Sequence, residues 1–251
     1  MDKVELLKKE RNIKITYSYD GTDYYGFQRQ IKMKTIQGTI EEYLFKITKE
    51  KINLISSGRT DTGVHAEMQV SNFQLLSPIP IEKMKEILNR GLPESIVIKD
   101  VEEVKEDFHS RFSAKERVYR YYLTWERNPF KNRFTTYVPF EIELKKFLQS
   151  MVILKGIHNF KNFRLAGCTS KTQVRELYSV EGEENGEKGL YIQISGSGFL
   201  KSQIRIIIGI ALDIYCKRKP KNYFEKMLKE DGKYIKTVAP ANGLHLWEIK
   251  Y

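Results

Sequence analysis

The densest run of groups able to do chemistry is Ser56-Ser57-Gly58-Arg59-Thr60-Asp61-Thr62-Gly63-Val64-His65-Ala66. Arg59 and Asp61 stand two residues apart, and a guanidinium beside a carboxylate favours its ionised form. An ionised carboxylate held in a dry cleft can act as a nucleophile or a base. Gly58 and Gly63 let the backbone turn tightly and approach a ligand. The plainer reading is a turn held by Asp and Thr hydrogen bonds, with His65 structural.

A second polar loop runs from Tyr19 to Gln30, as Tyr19-Asp20-Gly21-Thr22-Asp23-Tyr24-Tyr25-Gly26-Phe27-Gln28-Arg29-Gln30. It carries groups suited to RNA. Arg29 fits a phosphate, Gln28 and Gln30 fit base edges or backbone, and Tyr25 or Phe27 can stack. The same loop also fits an ordinary connection between a strand and a capped helix.

The charge points to a polyanion. Among 251 residues, 43 Lys and Arg outweigh 32 Asp and Glu, a net +11. Nucleic acid ranks first as the partner, a membrane surface second and simple solubility third. From Arg111 to Arg133, seven cations (Arg111, Lys115, Arg117, Arg120, Arg127, Lys131, Arg133) face only Glu116 and Glu126. Phe112, Tyr119, Tyr121, Tyr122, Trp125 and Phe130 interleave with them, and Phe134 follows. Cations for phosphates and rings for bases are what single-stranded RNA binding requires. Arg111 and Arg117 are the candidate RNA contacts here. The alternative makes the rings strand core and the cations a solvated face. From Lys201 to Lys236, ten cations face four acids. Glu176 to Glu187 is acidic and reads as a solvated hairpin loop pointing away from any polyanion.

Other classes are excluded. At 41% hydrophobic and 12% aromatic, the chain can bury a core and is not a disordered polycation. It holds no run of about 18 apolar residues, so no membrane-spanning helix is expected. The charged start, MDKVELLKKERN, argues against a signal peptide. Cys168 and Cys216 are too few for a disulfide framework and lack zinc-ligand spacing. The expected compartment is the cytoplasm. No P-loop or dinucleotide fingerprint is present.

Periodicity supplies the elements that must position these loops. Asn12 to Tyr19 alternates as a strand. Thr35 to Lys49 is helical, with Ile36, Ile40, Leu44 and Ile47 on one face and Thr35 as N-cap. Strands follow at Ile52 to Ser56, Met68 to Leu75 and Ser95 to Val104, with a helix from Ile81 to Arg90 after Pro80. The order β-α-β-β-α-β is the ferredoxin-like arrangement. In the second half, strands are expected at Val118 to Trp125, Gln173 to Gly182, Leu190 to Ser195 and Leu244 to Lys250. Helices are expected at Leu144 to Leu154, Leu200 to Cys216 and Tyr223 to Lys229. The order of elements repeats, which predicts an α+β chain of two similar halves divided near residue 106, with a ligand cleft between them.

The motifs YDGTDYYGFQRQ, GRTDTGVHA, LPESI, FHSRFSAKERVYRYYL, GFLKSQIRIIIG and APANGLHL occur in the order seen in the bacterial tRNA pseudouridine synthase A family. By these motifs the chain resembles that family from about residue 12 to its end. The resemblance implies two ferredoxin-like, RRM-like halves forming a continuous mixed antiparallel sheet around a basic RNA-binding cleft. It implies an isomerase that flips a uridine of tRNA at positions 38–40 of the anticodon stem-loop and makes pseudouridine without a cofactor. Asp61 matches the nucleophilic aspartate and Arg59 the arginine associated with base flipping. Tyr119 matches the tyrosine that packs on the base, Arg205 the arginine that pairs with the carboxylate, and Leu244 an apolar residue lining the uracil pocket. The loop holding Tyr25, Gln28, Arg29 and Gln30 matches the segment that grips RNA. Family members are homodimers. Two departures stand out: Thr62 replaces a common alanine, and Lys201-Ser202-Gln203-Ile204 replaces a polar or histidine residue followed by Met-Val.

Two other readings compete. The same charge fits a non-catalytic RNA-binding protein on this scaffold, although it would not need Arg59, Asp61, Tyr119 and Arg205 together. The glycine loop alone would also fit a carboxylate-dependent hydrolase of a small phosphorylated substrate, but no second acid at a defined spacing accompanies it.

Overall fold

A computed structural model describes residues 10–167, 172–229 and 232–251. Residues 1–9 of the charged N-terminal run, and Cys168, lie outside the described residues. The chain divides into two compact units, one of the residues up to Lys115 with Tyr251, the other Glu116–Lys250.

The first unit follows β1 (Arg11–Tyr19), α1 (Ile36–Thr48), β2 (Ile55–Ser56), β3 (His65–Leu75), α2 (Ile81–Gly91) and β4 (Ile96–Val104). Its strands lie in the order β4-β1-β3-β2, every pair antiparallel. That is the ferredoxin-like order expected from the sequence. The central strand β1 buries Ile13, Ile15 and Tyr17. Helix α1 covers the sheet with Ile36, Ile40 and Leu44, four residues apart and all buried. The Thr35 hydroxyl accepts from the Gly38 amide at 3.2 Å, satisfying a donor the helix leaves open. Lys49 ends the helix in the left-handed region.

The second unit follows β5 (Glu116–Thr124), β6 (Thr136–Tyr137), α3 (Leu144–Gln149), β7 (Gly156–Asn159), β8 (Val174–Glu184), β9 (Gly189–Gly196), α4 (Gln203–Tyr215), α5 (Tyr223–Lys229) and β10 (Leu244–Lys250). Its principal strands run β10-β5-β9-β8, with β7 beyond β8 and β6 parallel to β5. Without the additions β6, β7 and α5, this repeats the order of the first unit. Helix α4 is the core element, burying Ile204, Ile206, Ile207, Ile208, Ile210 and Ala211.

Several expected elements change. The helix expected from Leu144 to Leu154 stops at Gln149, and Val152–Leu154 form a separate 3-10 turn. The Met151 amide bonds to the Leu148 carbonyl, three residues back. The strand expected from Ile52 pairs only at Ile55–Ser56, while β3 begins at His65. The acidic run is corrected most. Residues up to Glu184 are strand β8, paired with β9, so only residues 185–188 form the hairpin loop. Glu183 accepts from the Tyr191 hydroxyl. Glu176, Glu181, Glu183 and Glu184 are side chains of strand β8, and only Glu187 lies in the loop. Among the described residues no helix is long and apolar enough to cross a membrane.

Candidate active site

In the first unit the two polar loops lie against each other. The Phe27 amide donates to the Thr60 carbonyl at 3.1 Å. Gly21 and Gly26 make that approach possible. A Cβ on Gly21 would stand 2.0 Å from the Val64 carbonyl oxygen. Gly26 has φ +85°, and its Cβ would stand 3.1 Å from the Thr60 oxygen and 3.2 Å from the Thr62 nitrogen. The glycines of the first loop thus serve the second.

A buried polar network holds the Arg59–Asp61 turn from below. The Tyr19 and Thr60 hydroxyls share a hydrogen bond of 2.7 Å. Ser57 donates to Gln69 Oε1 at 2.7 Å, and Gln69 Nε2 donates to the Gly58 carbonyl at 3.0 Å. Tyr17 and Ser56 each meet the Ser71 hydroxyl, at 2.8 and 2.7 Å. Burial pushes the Tyr17 hydroxyl pKa well above its ordinary value, against the lowering effect of the Ser71 bond. The Val64 amide closes the turn onto the Asp61 carbonyl at 3.1 Å, with Gly63 at φ +76°. Thr60 is therefore anchored by both its hydroxyl and its carbonyl. Its neighbours differ: Arg59 is exposed and Asp61 is half-buried. Among the described residues Arg59 makes no hydrogen bond or ion pair. His65 is buried, with Nδ1 3.2 Å from both the Gly21 amide and an Asp20 oxygen.

The RNA-gripping candidates of the first loop divide. Tyr25 and Gln28 are exposed. Gln30 donates to the Tyr25 carbonyl at 2.9 Å, shaping the loop. Arg29 is 54% exposed, yet one of its nitrogens lies 2.5 Å from the buried Glu41 carboxylate. Glu41 also accepts from the Leu54 amide and from Gln37, each at 2.9 Å. Arg29 therefore ties the loop to α1, and through Glu41 to Leu54 just before β2, as well as presenting charge.

In the second unit, Tyr119 sits on β5 between β9 and β10, opposite Ile194 and Leu246. Its ring meets Phe199 edge to face at 5.2 Å. Arg205 is on the first turn of α4, where its Nε donates to the Ala239 carbonyl at 2.8 Å and its own carbonyl accepts from the Ala239 amide at 2.9 Å. One turn on, Gly209 admits the Thr237 carbonyl, which would lie 2.2 Å from a Cβ there. Arg205 and Gly209 thus seat residues 237–239 along one face of α4. Leu244 is buried at the start of β10, opposite Tyr121.

Tyr121, one of the rings interleaved with the cations of the basic segment, joins these parts. Its hydroxyl meets Thr136 at 2.8 Å and donates to the Pro240 carbonyl at 2.8 Å. Burial pushes its pKa up, while the Thr136 bond and then the Arg205 charge pull it down. Its signal in the sequence was only one tyrosine in Tyr119-Arg120-Tyr121-Tyr122.

The basic segment from Arg111 to Arg133 sorts by burial. Tyr119 and Tyr121 are core, whereas Phe112 and Phe130 are 76% and 91% exposed. Arg117 is buried and donates to the Ser197 carbonyl at 2.8 Å, a structural bond. Arg111 is exposed. Among the described residues no cluster of three His, Cys, Asp or Glu side chains is placed to hold a metal ion.

Comparison with known proteins shows the family of the chain. A family model described as tRNA pseudouridine synthase matches residues 15–113 and 151–251. The "tRNA pseudouridine synthase A" of Brevibacillus brevis is 37% identical over 96% of this chain and all of its own length. The protein of the same name from Bacillus licheniformis is 38% identical over 95% of this chain and 98% of its own length. Among solved structures, a chain of the "Crystal Structure of a Cbf5-Nop10-Gar1 Complex" aligns with 78% of this chain at 13% identity and TM-score 0.35. This chain spans about half of that one, 53%, and the likeness is too distant to carry an argument. The sequence relatives and the family match together place the chain in the tRNA pseudouridine synthase family.

Proposed function

We propose that this pseudouridine synthase acts on tRNA uridines at positions 38–40 of the anticodon stem-loop, with Asp61 as its reactive carboxylate. The isomerisation breaks the N1–C1′ bond, turns the uracil and joins C5 to C1′. The proton lost from C5 is balanced by one gained at N1, so no net oxidation or hydrolysis occurs. The target base must first leave its stack, at a cost of a few kcal/mol. Arg59 takes the place of the extruded base, Asp61 engages the uridine, and Tyr119 packs its ring on the freed uracil. Arg205 is the cation assigned to the carboxylate, and Leu244 lines the uracil pocket.

One observation carries this reading. Thr60 is fixed at its hydroxyl by Tyr19 and at its carbonyl by Phe27, while Arg59 stays exposed and without a partner among the described residues. A reactive carboxylate needs such a fixed backbone, because a misplacement of about 1 Å costs roughly a hundredfold in rate. A base-flipping arginine needs the opposite, a side chain not yet committed. We also assign the active form to a homodimer in the cytoplasm.

Mapping of pseudouridine in tRNA from a deletion strain tests the target. The expected result is loss at positions 38–40, restored by the wild-type chain. Unchanged modification there, with loss at other tRNA or rRNA sites, would overturn the positional assignment. A monomer by light scattering that still modifies tRNA would overturn the dimer.

A further inference from the structure

Phe112 is a large apolar side chain left 76% exposed in a turn that is otherwise held firmly. The Ser113 amide bonds to the His109 carbonyl at 2.9 Å, and the His109 amide to the Ser113 hydroxyl at 3.1 Å. The Arg111 and Phe112 amides approach His109 Nδ1 at 3.2 and 3.3 Å. Beneath them Ser110 is fully buried, giving its amide and hydroxyl to Asn72 Oδ1 at 2.8 and 2.7 Å. The Tyr251 hydroxyl donates to the Ser110 carbonyl at 3.0 Å. Asn72 is bonded in turn to Asn12, which reaches the Phe108 carbonyl at 3.0 Å.

This anchoring fixes the backbone and leaves the Phe112 ring outside. The ring lies against the His109 imidazole, with centroids 4.3 Å apart and planes inclined by 32°. The exposed Arg111 guanidinium stands 5.8 Å from the ring centroid. A fixed aromatic pair beside a cation is a platform on which a base stacks while its phosphate is neutralised. Only an unpaired, unstacked base offers its face to such a platform.

We propose that His109 and Phe112 form a stacking ledge for an unpaired base of the tRNA, with Arg111 on the adjoining phosphate. The proposal rests on tRNA being the substrate, and it adds a positioning contact outside the residues assigned to the reaction.

The test pairs Phe112→Ala with Phe112→Trp, using unmodified tRNA transcript as the probe. Because the ring is exposed, neither change disturbs the core. Phe112→Ala is expected to weaken tRNA binding about tenfold, with the slope of log Kd against log salt unchanged. Arg111→Gln should lower that slope by about one. The emission that Phe112→Trp adds over wild type should be quenched by saturating tRNA. Wild-type affinity in Phe112→Ala, or added emission unmoved by tRNA, overturns the ledge. So does wild-type tRNA affinity accompanied by altered self-association, which would assign the ledge to a protein partner. Quenching in the Trp variant, with no pseudouridine made by the wild-type chain on any tRNA, would sustain the ledge and overturn the catalytic reading alone.

Discussion

Gly21 lies directly beneath the Val64 carbonyl, so close that a Cβ would stand 2.0 Å from that oxygen. The strand-to-helix loop and the aspartate loop are therefore one packed unit, and the glycine is required by its neighbour. Gly21→Ala must displace the Val64 peptide and with it the turn that carries Asp61. The expected result is a loss of at least tenfold in kcat, with Kd for tRNA changed much less. Single-turnover kinetics beside a binding titration would show this. Equal losses in both would place the effect in general unfolding.

Tyr121 ties α4's neighbourhood to the chain entering β10. Tyr121→Phe removes its bonds to Thr136 and the Pro240 carbonyl. Net hydrogen bonds of this kind contribute about 1 kcal/mol each, so a loss of about 1–2 kcal/mol is expected in denaturant unfolding. Activity should fall further than stability explains, because Leu244 and Arg205 both adjoin residues 239–243.

Two buried tyrosines set an alkaline limit on stability. Burial raises the Tyr17 and Tyr121 pKa values above the ordinary 10.0. The folded chain keeps both neutral while the unfolded chain ionises above pH 10. Their contribution is therefore fully present below pH 10 and is lost as the pH rises beyond it. The slope should be about 1.4 kcal/mol per pH unit for each tyrosine. Unfolding measured from pH 9 to 11 checks the sign, and Tyr121→Phe should remove one of the two contributions.

Binding of tRNA should fall steeply with salt. If about six phosphates are neutralised, affinity drops roughly a thousandfold between 50 and 200 mM. A filter-binding series would test it, and a flat series would return the net +11 to a solubility role.

Much of this was legible in the sequence because it is local. Thr35 capping α1 and the spacing of Ile36, Ile40 and Leu44 are short-range signals, and they matched the structure closely. The antiparallel pairing of β8 with β9 was visible in the turn between them. The two-residue strand β6 was not, since two residues carry no period, and β2 was legible only as a longer strand from Ile52. The acidic run was misread as a loop because strand residues facing solvent are polar too. Least legible were contacts between distant residues. Nothing local tells that Tyr19 meets Thr60, that Arg29 is held by Glu41, or that Arg117 turns inward to Ser197 while Phe112 turns out.

Release of tritium from C5-labelled uridine in tRNA tests the role of Asp61 most directly, because the C5 proton leaves only when pseudouridine forms. The wild-type chain should release it. Asp61→Asn, which keeps the side chain's size and removes its charge, should bind tRNA within about twofold of wild type and release none. Undiminished release by Asp61→Asn would contradict the assignment of Asp61 as the reactive carboxylate.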